Sequence, residues 1–242
     1  MSLRIRVVSW NVDSRPTGLL DAKVDLIRRL KPDLALLQEI GRPVYRALMP
    51  HPSAHERMHR KQRHFVWGAL STDLSTPRAS EYRLGCAILG GPTTALLDSG
   101  VLDSAPFDVQ EPVRVGFLWR TVVAQAALSS GDIVTVCCFH GRHPSGQPAA
   151  SLQQAFHAGI AKWLAGVAGP VVFGVDAGPA MFEGADPLLG RGAVHHLQQV
   201  LSIDNDHLWA TPDLEVHSVQ RLTDEAIAAG SDHPLLLADL AL

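Results

Sequence analysis

The sequence predicts an α/β fold in which two β-sheets pack face to face with helices outside. Three features predict it. The chain opens as strand, helix, strand. Its middle is a series of short strands split by turn residues. It closes on a second helix-and-strand unit and a last apolar strand. With 242 residues and 46% hydrophobic content, the chain has ample material for a sizeable core, read as one domain over 1–242.

The elements follow in order. "RIRVVSW" alternates and then runs apolar, as a strand does on entering a core. "LLDAKVDLIRRLKPD" sets Leu20, Val24, Ile27 and Leu30 at helical spacing. Lys31-Pro32 ends that helix, because proline disfavours helical geometry in the residue before it. "LALLQE" is a short buried strand. "RLGCAILG", "FLWRTVVAQAAL" and "DIVTVCCFH" read as further strands, separated by turns that include "GGP" and "SSGD". "ASLQQAFHAGIAKWLAG" is an amphipathic helix with Leu152, Phe156, Ile160, Trp163 and Leu164 on one side. "PVVFGV" is a buried strand, "DHLWATP" a weaker one, and "PLLLADLAL" the last.

Composition narrows the function. The net charge is −3, so the chain lacks the global basic footprint of a protein that lives on nucleic acid, and any such contact is local. No run reaches the ~18 apolar residues of a membrane span. Cys86, Cys137 and Cys138 show no disulfide framework or CxxC metal site, and the adjacent pair on one strand points to opposite faces. The expectation is a monomer with reduced thiols in the cytoplasm.

Polar residues recur where the apolar strands end: Asn11 in "SWN", Glu39 in "LQE", His140 in "CCFH", Asp176 in "FGVD", and Asp232-His233 just before the last strand. Strand ends of this kind converge in α/β folds and are where sites are built. Each residue alone has a plainer role, as a turn residue, a cap or a solvated end.

Taken together and in order, "SWNV", "LQE", "GCAIL", "FHG", "GVDAGP", "DHLWA" and "SDHP" resemble the endonuclease/exonuclease/phosphatase superfamily, over Ile5 to Leu240. The resemblance implies a four-layer α-β-β-α sandwich with two mixed sheets. It implies cleavage of phosphate esters with a divalent cation, Mg²⁺ in general and Mn²⁺ as the other choice. Glu39 would bind the metal, Asn11 would add a neutral oxygen ligand, and Asp232 would lie beside it; few protein ligands and several waters suit this small, hard cation. Asp176 would orient or deprotonate the attacking water. His233, paired with Asp206, would stabilise charge on the phosphate. His140 would act as an acid or a phosphate contact.

One motif departs from the family. The usual Asp-x-Asn is "DAG" here, with Gly178 in the asparagine position. Losing one positioned donor costs ~10²–10³ in rate. A glycine lets backbone approach the phosphate, but Pro179 supplies no N–H. Two readings stand beside a phosphodiesterase: a catalytically impaired binding module on the same fold, and a phosphomonoesterase. The basic stretch "HERMHRKQRH", with Arg57, Arg60, Lys61 and Arg63, is a solvated segment or a phosphate-contacting loop. His51, His55 and His59, spaced by four, are also compatible with a metal site. Arg142 in "FHGRHPSG" is a phosphate contact or a plain loop residue. The expected substrate is a small phosphodiester, a nucleotide or a single strand, ahead of duplex DNA.

Overall fold

The computed structural model describes residues 4–13, 19–48, 65–69, 84–101, 121–141, 159–177 and 196–242. Arg60, Arg142 and Gly178, with the histidines at 51, 55 and 59, lie outside the described residues.

Two six-stranded mixed sheets carry the fold. The first has the spatial order β11 (Glu215–Leu222), β12 (Leu235–Ala241), β1 (Arg4–Asn11), β2 (Leu34–Gly41), β4 (Leu84–Gly90) and β3 (Phe65–Ala69). The second has β5 (Ala95–Val101), β6 (Thr121–Ala127), β7 (Ile133–His140), β8 (Val171–Asp176), β10 (Asp206–Ala210) and β9 (Gln198–Ile203). Each sheet contains one parallel pair, β1 with β2 and β7 with β8. The other neighbours are antiparallel.

Alternation along the strands sorts the side chains into three apolar layers. Between the sheets, Val7, Leu34, Leu36 and Ile88 of the first meet Val122, Val136, Cys138 and Val172 of the second. On the outer face of the first sheet, Val8, Trp10, Ala35 and Leu37 are covered by α1 (Leu20–Leu30), α2 (Arg42–Leu48) and α4 (Thr223–Ala228). On the outer face of the second, Cys137, Phe139, Phe173 and Val175 pack on Ile160 and Leu164 of α3, described over 159–166. The layers are therefore α-β-β-α, as expected. Cys137 and Cys138 do face opposite layers, and all three cysteines are buried thiols.

Gly174 sets how closely the sheets approach below the strand ends. A Cβ there would lie 2.7 Å from Ser9 Oγ and 2.9 Å from Leu36 Cβ. No helix among the described residues is long and apolar enough to cross a membrane.

Some elements differ from the sequence expectation. The "LQE" strand does not stop at Glu39 but runs on to Gly41 across a register shift between Leu37 and Ile40. The helices α2 and α4 and the strands β3, β5, β9 and β11 were not expected from the pattern.

Candidate active site

The two parallel pairs place their carboxyl ends together. Asn11 pairs with Gln38 across β1 and β2, next to Glu39. His140 pairs with Asp176 across β7 and β8, and Asp176 pairs on its other side with Asp206, the first residue of β10. The loop before β12 adds Asp232 and His233.

Glu39 reaches the site through backbone geometry. It has φ +47° at the β2 irregularity, a left-handed conformation unusual for a residue with a side chain. The extra residue re-aims the carboxylate away from the regular strand face. Its Oε1 lies 3.4 Å from His140 Nε2, and that nitrogen lies 3.4 Å from Asp176 Oδ2.

Asn11 links the sheets. Its Nδ2 donates to Asp176 Oδ2 at 2.6 Å and lies 3.3 Å from His233 Nε2. Its Oδ1 accepts from the Asp13 N–H at 3.0 Å. These partners fix the amide orientation, since a flip would set NH₂ against N–H and oxygen against a carboxylate. The oxygen expected to face a metal is thus turned toward Asp13. The buried Lys23 ammonium donates to the Asp13 carbonyl at 2.6 Å, tying α1 to this turn.

His233 is oriented from three directions. Its Nδ1 lies 2.9 Å from Asp206 Oδ2, its backbone N–H donates to Ser231 Oγ at 3.1 Å, and its carbonyl accepts from Trp10 Nε1 at 3.3 Å. Ser231 Oγ in turn donates to the Asn11 carbonyl at 2.7 Å. Burial alone would lower the His233 pKa. The Asp206 hydrogen bond and charge, with Asp176 and Asp232 nearby, outweigh it and push the value up to about 9. Burial raises the Asp206 carboxyl, and the His233 contact pulls it back. Asp232 is exposed, with Oδ1 3.8 Å from His233 Nε2.

The residues fit a divalent cation. Glu39, His140 and Asp176 bring one ligand atom each within 4.8 Å of one another. Two carboxylates give the hard oxygen donors such an ion takes, with water completing the shell. The imidazole adds a donor that transition ions accept more readily than Mg²⁺ does.

Of the expected site residues, the structure brings Asn11, Glu39, His140, Asp176, Asp206 and His233 together and sets Asp232 at the margin. Sequence reasoning gave little weight to His207. It is buried, with Nε2 2.9 Å from the Ala177 carbonyl and Nδ1 2.6 Å from Ser202 Oγ. The signal available was its place inside an apolar strand, "DHLWA", where a polar ring needs a partner.

This architecture is the endonuclease/exonuclease/phosphatase fold. No protein-family model matches the chain, and no curated protein matches it by comparison. Solved structures do. An endonuclease/exonuclease/phosphatase from Bacteroides vulgatus is similar at TM-score 0.65 and 16% identity, over 99% of each chain. Humanized D. rerio TDP2 is similar at TM-score 0.62 and 15% identity, over 98% of each chain. The human Nocturnin catalytic domain, solved with a bound sulfate anion, is similar at TM-score 0.61 and 16% identity, over 99% of this chain and 96% of that one. At such identities the likeness is one of fold.

Proposed function

We propose that the protein is a divalent-cation-dependent phosphoesterase, a single domain that hydrolyses a phosphodiester. The observation that carries this reading is the convergence of Asp206, His233, Asn11 and Asp176 from the two sheets, beside Glu39 and His140. A structural ion pair needs no such convergence of strand ends.

A phosphodiester is an anion, and water attacks it poorly. Glu39, with Asp176 and His140 in reach, would hold the cation, which when bound would supply positive charge against the phosphate oxygens. Asp176 orients the attacking water and takes its proton; the Asn11 bond to Oδ2 fixes the carboxylate for that task. His233 is protonated at neutral pH, with Nδ1–H held by Asp206, so Nε2–H is left to donate to the phosphate as charge develops. Asp232 lies beside that nitrogen, at the mouth of the site. Arg60 and Arg142 are proposed as phosphate contacts from their sequence position alone.

The substrate we favour is a small phosphodiester, a nucleotide or a single strand, because the net charge of −3 offers no footprint for a duplex. Two fold neighbours support an anionic, phosphate-like occupant: the Nocturnin domain holds sulfate, and D. rerio TDP2, at TM-score 0.62 and 14% identity, is complexed with single strand DNA product. Mg²⁺ or Mn²⁺ as the ion and the cytoplasm as the setting, on three buried cysteine thiols, belong to the same reading.

The test is hydrolysis of bis-p-nitrophenyl phosphate, with p-nitrophenyl phosphate alongside, in Mg²⁺, Mn²⁺ and EDTA. Metal-dependent release that falls at least ~10²-fold in His233→Ala supports the reading. Preference for the monoester turns it toward a phosphomonoesterase. Gly178 favours one further reading, a ligand-binding module with lost catalysis. Cation binding with no turnover on these compounds, nucleotides or oligonucleotides would select it.

A further inference from the structure

The chemistry proposed above places Asp176 at the end of β8, where the strand gives way. What holds it there is not the strand alone. Ala177, the next residue, is buried, and both of its backbone groups are taken. Its N–H donates to the Asn205 carbonyl at 2.7 Å, and its C=O faces His207 Nε2 at 2.9 Å. The Asp176 carbonyl accepts from Gly141 N–H at 2.5 Å, and a Cβ on Gly141 would sit 2.6 Å from Ala177 Cβ. Between Asn205 and His207 stands Asp206, which holds His233. One tripeptide, Asn205-Asp206-His207, thus touches both sides of the site. Residues 205 and 207 grip the peptide after Asp176, and residue 206 grips the imidazole opposite.

The His207 ring also has a definite form. A carbonyl oxygen only accepts, so Nε2 must carry the proton. In the neutral ring Nδ1, 2.6 Å from Ser202 Oγ, accepts from that hydroxyl. The neutral Nε2–H tautomer satisfies both contacts of the buried ring at once.

We propose that His207 is a positioning residue: as the Nε2–H tautomer, fixed by Ser202, it pins the Ala177 carbonyl and thereby sets the direction of the Asp176 carboxylate relative to His233. It does not touch the substrate. The proposal rests on the phosphoesterase reading for its effect on rate, but the tautomer and the pinned peptide are properties of the protein without substrate.

The experiment compares wild type with His207→Phe, His207→Gln and Ser202→Ala. Long-range ¹H–¹⁵N spectra of the imidazoles read the tautomer, hydrogen exchange reads the Ala177 amide, and bis-p-nitrophenyl phosphate reads kcat and KM at saturating cation. The expected result is an Nε2–H ring in wild type and a slow Ala177 amide that exchanges faster in His207→Phe. That variant should lose about 10-fold to 10²-fold in kcat with KM held within about twofold, as misplacement of a reacting group requires. His207→Gln, which keeps a donor, should recover part of the loss. An Nδ1–H ring in wild type, or a folded His207→Phe with unchanged kcat and amide exchange, would overturn the proposal. If His207→Phe does not fold, the same criteria apply to His207→Gln and Ser202→Ala. Wild type without turnover sinks the esterase reading instead, and the tautomer and the Ala177 amide then decide the clamp on their own.

Discussion

The two sheets contribute to the site in different ways. The first sheet offers groups open to solvent: the side chains of Glu39 and His233 are each 22% exposed, and that of Asp232 is 66% exposed. The second offers buried ones, with His140 at 7%, Asp206 at 6% and Asp176 at 2%. The backbone differs too. Glu39 sits in a left-handed conformation at a strand irregularity, whereas Asp176 and His140 are paired residues of a regular parallel ladder. The first sheet's groups meet solvent, and the second sheet's are set in a buried frame behind them. Asn11 is the exception: it belongs to the first sheet but is buried and bonds to the second. A site built in this way differs in exposure from one side to the other, so damage to each side should read out differently.

The largest effect should come from the buried side. Asp176→Asn removes the proton acceptor and keeps its shape, and turnover on bis-p-nitrophenyl phosphate should fall by about 10²–10⁴. Near-normal turnover would remove Asp176 from its role. On the open side, Glu39→Ala should act first on the cation. A cation at about a hundred times its Kd stabilises a folded protein by about 2.7 kcal/mol. Thermal unfolding with and without Mn²⁺ should show that gain in wild type and a much smaller one in Glu39→Ala. An equal shift in both would take Glu39 out of the cation's shell.

The smallest effect concerns the pair that joins the sides. The folded-state pKa of His233 lies at about 9, above the ordinary 6.5, so its protonated form is favoured by folding. That contribution is complete below about 6.5 and is lost as pH rises through about 9. In EDTA, Tm should therefore decline gently across the alkaline range, and the decline should flatten in Asp206→Asn. Parallel curves for the two proteins would contradict the assignment.

Much of this frame was legible in the sequence. The buried strands β7 and β8 are near-continuous apolar runs closed by His140 and Asp176, β1 ends on Asn11, β2 carries Glu39 near its end, and Asp232-His233 precede the apolar β12. The illegible parts have physical reasons. The strand β11 is exposed along almost its whole length and is held by backbone pairing to β12, so "EVHSVQRL" carries no buried face to detect. The helix α2 spans seven residues with Pro43 in its first turn, too short for a helical period to appear. Glu39 was expected at a strand end, but its positive φ follows from pairing with β4 and is not written in "LQE". His207 was passed over because its partner, Ala177, lies 30 positions away.

The contact between Asn11 and His233 joins residues 222 positions apart, and β1 finds one of its two neighbours in β12. During synthesis β1 and β2 emerge early, but the other edge of β1 stays open until Leu235–Ala241 has cleared the ribosome. The imidazole cannot be seated before then, because Ser231 and Trp10 hold it only once β12 is in place. The constellation therefore stays incomplete until β12 has paired with β1, and whatever reactivity the protein has begins when that seam closes.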